Sequence, residues 1–276
     1  MFRVLIFVIF FALSAIGAYF LLSNHTQVQT LLSKYSQNNQ AENSLPKPRL
    51  ENIYAPVLMY HHIASKTPPA SYYVSPEIFE SQMAWLKENH FTVISADDFY
   101  LGLSGEKDLP QKPVLITFDD GVMDQYQNAL PILKKYGYPA TFFIKLNNVG
   151  EGKGGMNYQM LRELVSAKMT IGSHSMNHDN MAHMDEAQLK YELTQSKSIL
   201  EKNLNIKVEY FSFPGGAFSD QTISETAKAG YKMAFTTKHE VYHQIKTIND
   251  LYKISRIHID NEMPSFENWI QNINLK

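Results

Sequence analysis

The chain is 276 residues long with 25 Lys plus Arg against 27 Asp plus Glu, a formal net charge of -2, so no bulk footprint for a polyanion is present and nucleic acid is disfavoured as a partner. Hydrophobic residues make up 44% and aromatic residues 12%, enough for a sizeable interior, which excludes a wholly disordered chain. The absence of cysteine excludes disulfides, thiolate-ligated zinc and a thiol nucleophile.

After Met1, Phe2 and Arg3, the stretch from Val4 to Leu22 carries no charge and is almost wholly apolar, close to the ~20 residues a membrane-spanning helix needs. Residues 1–23 are therefore expected to be a transmembrane anchor. A cleaved signal peptide is the alternative, with Ala15-Ile16-Gly17 as the small-residue cleavage site and secretion as its outcome. Arg3 favours a cytoplasmic amino terminus, so everything after Leu22 is expected outside the cytoplasm, in a periplasm or at the cell surface. Residues 24–54, rich in Gln, Asn, Ser and Lys with Pro46 and Pro48, read as a polar linker.

Residues 55–276 alternate between short apolar runs and amphipathic stretches, an α/β pattern. Strands are predicted at Pro56 to Ile63, Phe91 to Ser95, Pro113 to Phe118, Ala140 to Leu146, Thr170 to Ser173, Val208 to Phe213, Met233 to Thr237 and Ile254 to Ile259. Most are continuously apolar, as buried parallel strands are. Helices are predicted at Pro76 to Asn89 with Ser75 as N-cap, Asp124 to Tyr136, Tyr158 to Lys168, Asp185 to Leu204, Asp220 to Ala229 and Ser265 to Ile273. About eight strand–helix units predict a distorted (β/α) barrel, a fold whose chemistry sits at the C-terminal ends of its strands.

Several chemically loaded residues fall at those ends. The strand ending in Phe118 runs into Asp119-Asp120-Gly121, and two adjacent carboxylates there call for a cation or a hydrogen-bond network, although a plain Asp-Asp-Gly turn is the alternative. A second cluster, Ser173-His174-Ser175-Met176-Asn177-His178, follows another strand, with two His placed four residues apart so that both can reach one ion. Asp120, His174 and His178 would form a two-His, one-carboxylate set with open positions, and Asp119 would be free to act as a base.

Thr117-Phe118-Asp119-Asp120-Gly121 followed by His174-Ser175-Met176-Asn177-His178 resembles the polysaccharide deacetylases of the NodB-homology type, carbohydrate esterase family four, over about residues 55 to 260. The resemblance implies a distorted (β/α) barrel and metal-dependent removal of acetyl groups from polysaccharides. It implies Asp119 as catalytic base, Asp120, His174 and His178 as ligands of a divalent metal, usually Zn²⁺, and the Gly215 N–H as an oxyanion donor.

Two departures bear on the reading. In the third motif Ser212 stands where most of the family has an Arg that pairs with the base and Gly215 where an aromatic residue is usual, and near the C-terminus the family's acid His is not in its usual Leu-x-His setting. Met59-Tyr60-His61-His62 and Ser255-Arg256-Ile257 instead resemble the branch that de-N-acetylates poly-β-1,6-N-acetylglucosamine, in which the motif order is permuted. That likeness implies His61 as the acid and Arg256 as the partner of Asp119. It also implies an N-acetylglucosamine polysaccharide as substrate, a role in biofilm or exopolysaccharide maturation, and polymer export machinery as a further partner. Peptidoglycan or chitin oligosaccharides are alternative substrates, and a non-catalytic polysaccharide-binding protein is the alternative of a different class.

On the residues themselves, His62 alternates to the opposite side of the strand from His61 and reads as packing or support. His258 is the alternative acid. His25, His90, His183, His239 and His243 read as surface or loop residues, with His183 close enough in sequence to line the site. Tyr72, Tyr73 and Tyr158 are candidates to stack on sugar rings, Trp85 reads as core, and Gly150 to Gly155 as a flexible loop.

Overall fold

The computed structural model describes residues 52–53, 55–66, 70–150, 152, 154–240 and 243–271. The expected anchor and nearly all of the expected linker lie outside them. Among the described residues no helix is long and apolar enough to cross a membrane.

Eight strands form one curled parallel sheet: β1 (Val57–Tyr60), β2 (Thr92–Ile94), β3 (Pro113–Phe118), β4 (Thr141–Ile144), β5 (Thr170–Ser173), β6 (Tyr210–Ser212), β7 (Met233–Phe235) and β8 (Ile257–His258). The order across it is β7-β6-β5-β4-β3-β1-β8, with β2 pairing the first half of β3. In register, Leu58 faces Ile116 and Tyr60 faces Phe118. β1 and β3 are buried at every position, which is why their sequences read as unbroken apolar runs rather than as alternation.

The period of two nevertheless divides the core. Leu58, Tyr60, Ile116, Phe118, Phe142 and Phe211 pack into the layer beneath the helices, whereas Val57, Leu115, Phe143, Tyr210, Met233 and Phe235 belong to a second cluster on the opposite face. Toward the strands' C-terminal ends that second face turns polar, with Thr117, Asp119, Ser212 and Arg256 all buried. The chemistry therefore lies at the top of the concave interior.

The helices are α1 (Pro76–Glu88), α2 (Ala96–Leu103), α3 (Leu130–Tyr136), α4 (Tyr158–Ser166), α5 (Glu186–Leu204), α6 (Asp220–Lys228) and α7 (Met263–Gln271). Ser75 caps α1 as expected, and Phe79, Met83 and Leu86 form its buried stripe. α2, capped by Ser95, has no counterpart in the sequence reading.

Two expectations need correction. The continuous helix expected from Asp124 begins instead as a π-helical turn, Gln125–Ala129, in which the Leu130 N–H bonds the Gln125 carbonyl. Pro131 supplies the reason, because it has no N–H and the ordinary i→i−4 pattern cannot continue through it. The strand expected from Ile254 to Ile259 is split, with an isolated parallel bridge between Ile254 and Phe235 followed by β8. The segment thereby joins the two edges of the sheet: Ile254 donates to Ala234, Thr236 to Ile254 and Arg256 to Lys238 on one side, while β8 pairs with β1 on the other.

Candidate active site

The residues singled out in the sequence converge at the top of this sheet. Asp119 leaves β3 with its N–H on the Tyr60 carbonyl at 3.0 Å, and its carboxylate is buried against Arg256. Arg256 Nη1 donates to Asp119 Oδ1 at 2.8 Å and Nη2 to Oδ2 at 2.6 Å. The remaining guanidinium N–H groups go to the Thr236 carbonyl (2.9 Å), Thr117 Oγ1 (3.2 Å) and Ser212 Oγ (2.9 Å). All five donors of this wholly buried side chain are thus used, the condition under which a buried ion pair is tolerable. Ser212 Oγ also donates to Asp119 Oδ2 at 3.2 Å, so the small residue at the position of the family's usual Arg sits within the pair made by Arg256. Burial alone would raise the Asp119 carboxyl, but the charge and hydrogen bonds of Arg256, with His174 nearby, hold it well below the usual carboxylate range.

Asp120 leaves the strand with φ 75°, a left-handed conformation uncommon for a residue other than glycine. His174 follows β5 and places Nδ1 2.7 Å from the Ser212 carbonyl. A carbonyl only accepts, so Nδ1 carries the hydrogen and Nε2 keeps its lone pair. That Nε2 lies 3.8 Å from Asp120 Oδ1, and His178 Nε2 lies 3.6 Å from the same oxygen. Tetrahedral bonds of the length zinc prefers require ligand atoms about 3.4 Å apart, so two imidazole nitrogens and one carboxylate oxygen in this arrangement fit a divalent ion.

The loop bearing the two His is strained, with Ser175 at φ 65° and His178 at φ 69°. It is held by Glu192 of α5, whose buried carboxylate accepts from Met176 N (2.8 Å), Asn177 N (3.1 Å) and Asn177 Nδ2 (2.6 Å). Glu192 is absent from the sequence reading, although its spacing with Leu189, Leu193 and Ser196 puts a charge on the buried face of α5.

A cleft of about 490 Å³ opens above the cluster, lined by His61, Tyr72, Asp119, Asp120, His174 and Gly215 among others. His61 Nδ1 is buried with no hydrogen-bond partner among the described residues, and burial, against the pull of Asp119 and Asp120, lowers the imidazole to about 4. His258 reaches the same cleft, its ring 6.1 Å from that of His61, and the Tyr72 ring contacts both. Gly215 lines the cleft with φ 60°, and a Cβ there would meet no atom.

His62 and Tyr73 also line the cleft, their rings stacked on each other, and His62 Nδ1 lies 2.6 Å from Asp124 Oδ2, which makes His62 a supporting residue as expected. Trp85 packs on Phe91 and Phe266 in the core, whereas Tyr158 and the exposed His183 are not among the cleft residues. The surface reading of His243 is overturned: it is buried, bonds the Ala55 carbonyl and packs against Phe99.

The polysaccharide deacetylase family model matches residues 106–234. YxkH of Bacillus subtilis strain 168, whose name places it provisionally among the polysaccharide deacetylases, is 33% identical over 183 residues, 66% of this chain. That match spans 64% of YxkH, under two thirds of its length. A poly-β-1,6-N-acetyl-D-glucosamine N-deacetylase of Staphylococcus aureus strain MRSA252 is 29% identical over 253 residues, 86% of this chain and 84% of that one. Among solved structures, the Streptococcus pyogenes deacetylase PplD in complex with acetate matches with a TM-score of 0.75 at 29% identity, covering 81% of this chain and 100% of that one.

Proposed function

We propose, from the premise that the chain carries a polysaccharide deacetylase domain, that it is a metal-dependent hydrolase removing N-acetyl groups from poly-β-1,6-N-acetylglucosamine. One observation carries the reading: Asp120, His174 and His178 converge beside a buried, Arg-paired carboxylate in one cleft. The identity to the S. aureus enzyme over most of both chains supports the polymer, and the acetate bound by PplD is the product that such a reaction releases.

Asp120, His174 and His178 would hold the divalent cation, Zn²⁺ by this donor set, which when bound polarises the acetamide carbonyl and the attacking water. Asp119 accepts the proton of that water. Arg256 and Ser212 keep Asp119 ionised and fix its direction, so that little reorganisation is needed as the proton moves. The Gly215 N–H, in the lining of the cleft, stabilises the developing oxyanion. The proton taken by Asp119 passes to His61, which lines the same cleft and is neutral until then, and from it to the leaving amine, which without it would be expelled too slowly to compete with reversion.

In this reading residues 1–23 anchor the protein and residues 24–54 tether the domain outside the cytoplasm, where it meets polymer handed on by export machinery during biofilm maturation. The apolar segment beginning at Val4 and the polar composition that follows it support this placement.

Mass spectrometry of N-acetylglucosamine oligomers of defined linkage, incubated with the zinc-loaded protein, tests the reading. Loss of acetyl units from the β-1,6-linked series is expected. Deacetylation of β-1,4-linked oligomers alone would move the substrate to peptidoglycan or chitin-like chains, and binding without any acetyl loss would make the protein a polysaccharide-binding module.

A further inference from the structure

The parallel ladder between β1 and β3 ends where the chemistry begins. Its last bond joins the Asp119 N–H to the Tyr60 carbonyl, and the next two carbonyls, those of His61 and Asp119, are held by one side chain. Gln125 Nε2 donates to His61 O at 2.8 Å and to Asp119 O at 2.5 Å. Both partners are acceptors, which fixes the orientation of the amide and leaves Gln125 Oε1 buried with no partner among the described residues. A fully buried amide kept with its oxygen unsatisfied, in a π-helical turn, is a local cost retained at a site.

Its neighbours grip the same strand end. Asp124 Oδ1 accepts from Ile63 N at 2.8 Å while Oδ2 meets His62 Nδ1, and Asn128 Nδ2 donates to Ile63 O at 2.7 Å. The two carbonyls bridged by Gln125 differ in how else they are secured. Asp119 has Arg256 and Ser212 on its carboxylate, whereas the His61 ring has an unpartnered Nδ1 and only ring contacts with Tyr72 and His258.

Resting on the function proposed above, we propose that Gln125 is a positioning residue that sets where His61 stands relative to Asp119, with Asp124 and Asn128 completing a clamp on residues 61–63. Because Asp119 is independently anchored, loss of the clamp falls on the proton delivered to the leaving group. A misplacement of about 1 Å in such a group costs on the order of 100-fold in rate.

The test compares two substrates of unequal need. An N-acetylglucosamine oligomer releases an amine that must be protonated, whereas 4-nitrophenyl acetate releases a phenolate that need not be. For Gln125→Met in the zinc-loaded protein, kcat on the oligomer should fall by roughly 10- to 100-fold with KM and bound zinc unchanged, and by less than about threefold on the aryl ester. Asn128→Ala, at a half-buried position, should show the same selectivity with a smaller loss. Equal losses on both substrates, or loss confined to KM or zinc content in both variants, would mean that the clamp only holds the fold and would overturn the inference. So would unchanged kinetics. Wild-type protein that cleaves the ester but no oligomer of any linkage would instead bring down the proposed function.

Discussion

At the scale of single residues, the pair formed by Asp119 and Arg256 dominates the site. Asp119→Asn keeps shape but removes the proton acceptor, so zinc content measured by atomic absorption should stay stoichiometric while turnover falls by roughly 10²–10⁴. A similar fall is expected for His61→Ala and a much smaller one for His258→Ala; the reverse order would pass the acid role to His258. Arg256→Met leaves a buried carboxylate without its cation, which costs about 3–5 kcal/mol at neutral pH by urea denaturation. The pH dependence carries the sign. In the native protein Asp119 is held below its unfolded value, so its contribution is present above about pH 4 and is lost on acidification below that. In the Met variant only His174, His61 and the Ser212 hydroxyl still oppose burial, so the carboxyl rises relative to the native protein and the deficit should shrink as the pH falls.

At the scale of elements, the strand ends carry ligands and base while the helices hold them in place. Glu192 of α5 gathers three N–H donors from the His-bearing loop, and that loop contains two non-glycine residues in left-handed conformation. Glu192→Ala should lower zinc affinity by roughly 10- to 100-fold in a competition titration, with the helix content unchanged. The strands and most helices were legible because each is a buried apolar run or an amphipathic stripe ending at a cap, and Asp119, Asp120, His174 and His178 stood out as polar clusters just past such runs. Glu192, Gln125 and Asp124 were not, because a carboxylate or amide on a helix acquires a role only from the partner that tertiary structure brings to it. The split of the last strand was hidden for a related reason: Ser255 and Arg256 interrupt an apolar run, and only the curled sheet shows that each half pairs with a different edge. α2 escaped notice although Ser95, with Asp97 and Asp98 in the first turn, is an ordinary helix start.

At the scale of the whole molecule, acid sensitivity has a source outside the site. Burial lowers His243 to about 4, against some opposition from Glu240 and the Ala55 carbonyl, so the unfolded chain binds the extra proton first as the pH falls. Stability should therefore be lost between about pH 6.5 and 4, by roughly 2 kcal/mol between pH 8 and pH 5 from this group alone. Urea midpoints across that range should show a correspondingly shallower slope in His243→Gln, which keeps a donor for Ala55; an unchanged slope would locate the acid sensitivity in the other buried imidazoles. The seam of the sheet has a different consequence, one of timing. Arg256 lies 137 residues after the carboxylate it neutralises and in the same segment that ties the first strand to the seventh. As a nascent chain lengthens, every other named participant in the chemistry is present before this one, and in refolding of the whole chain its contact waits on the pairing of Leu58 with Ile257, the most distant in sequence within the sheet. Catalytic competence should therefore return last, after secondary structure and after the ion-binding cluster, so that turnover reports completion of the ring.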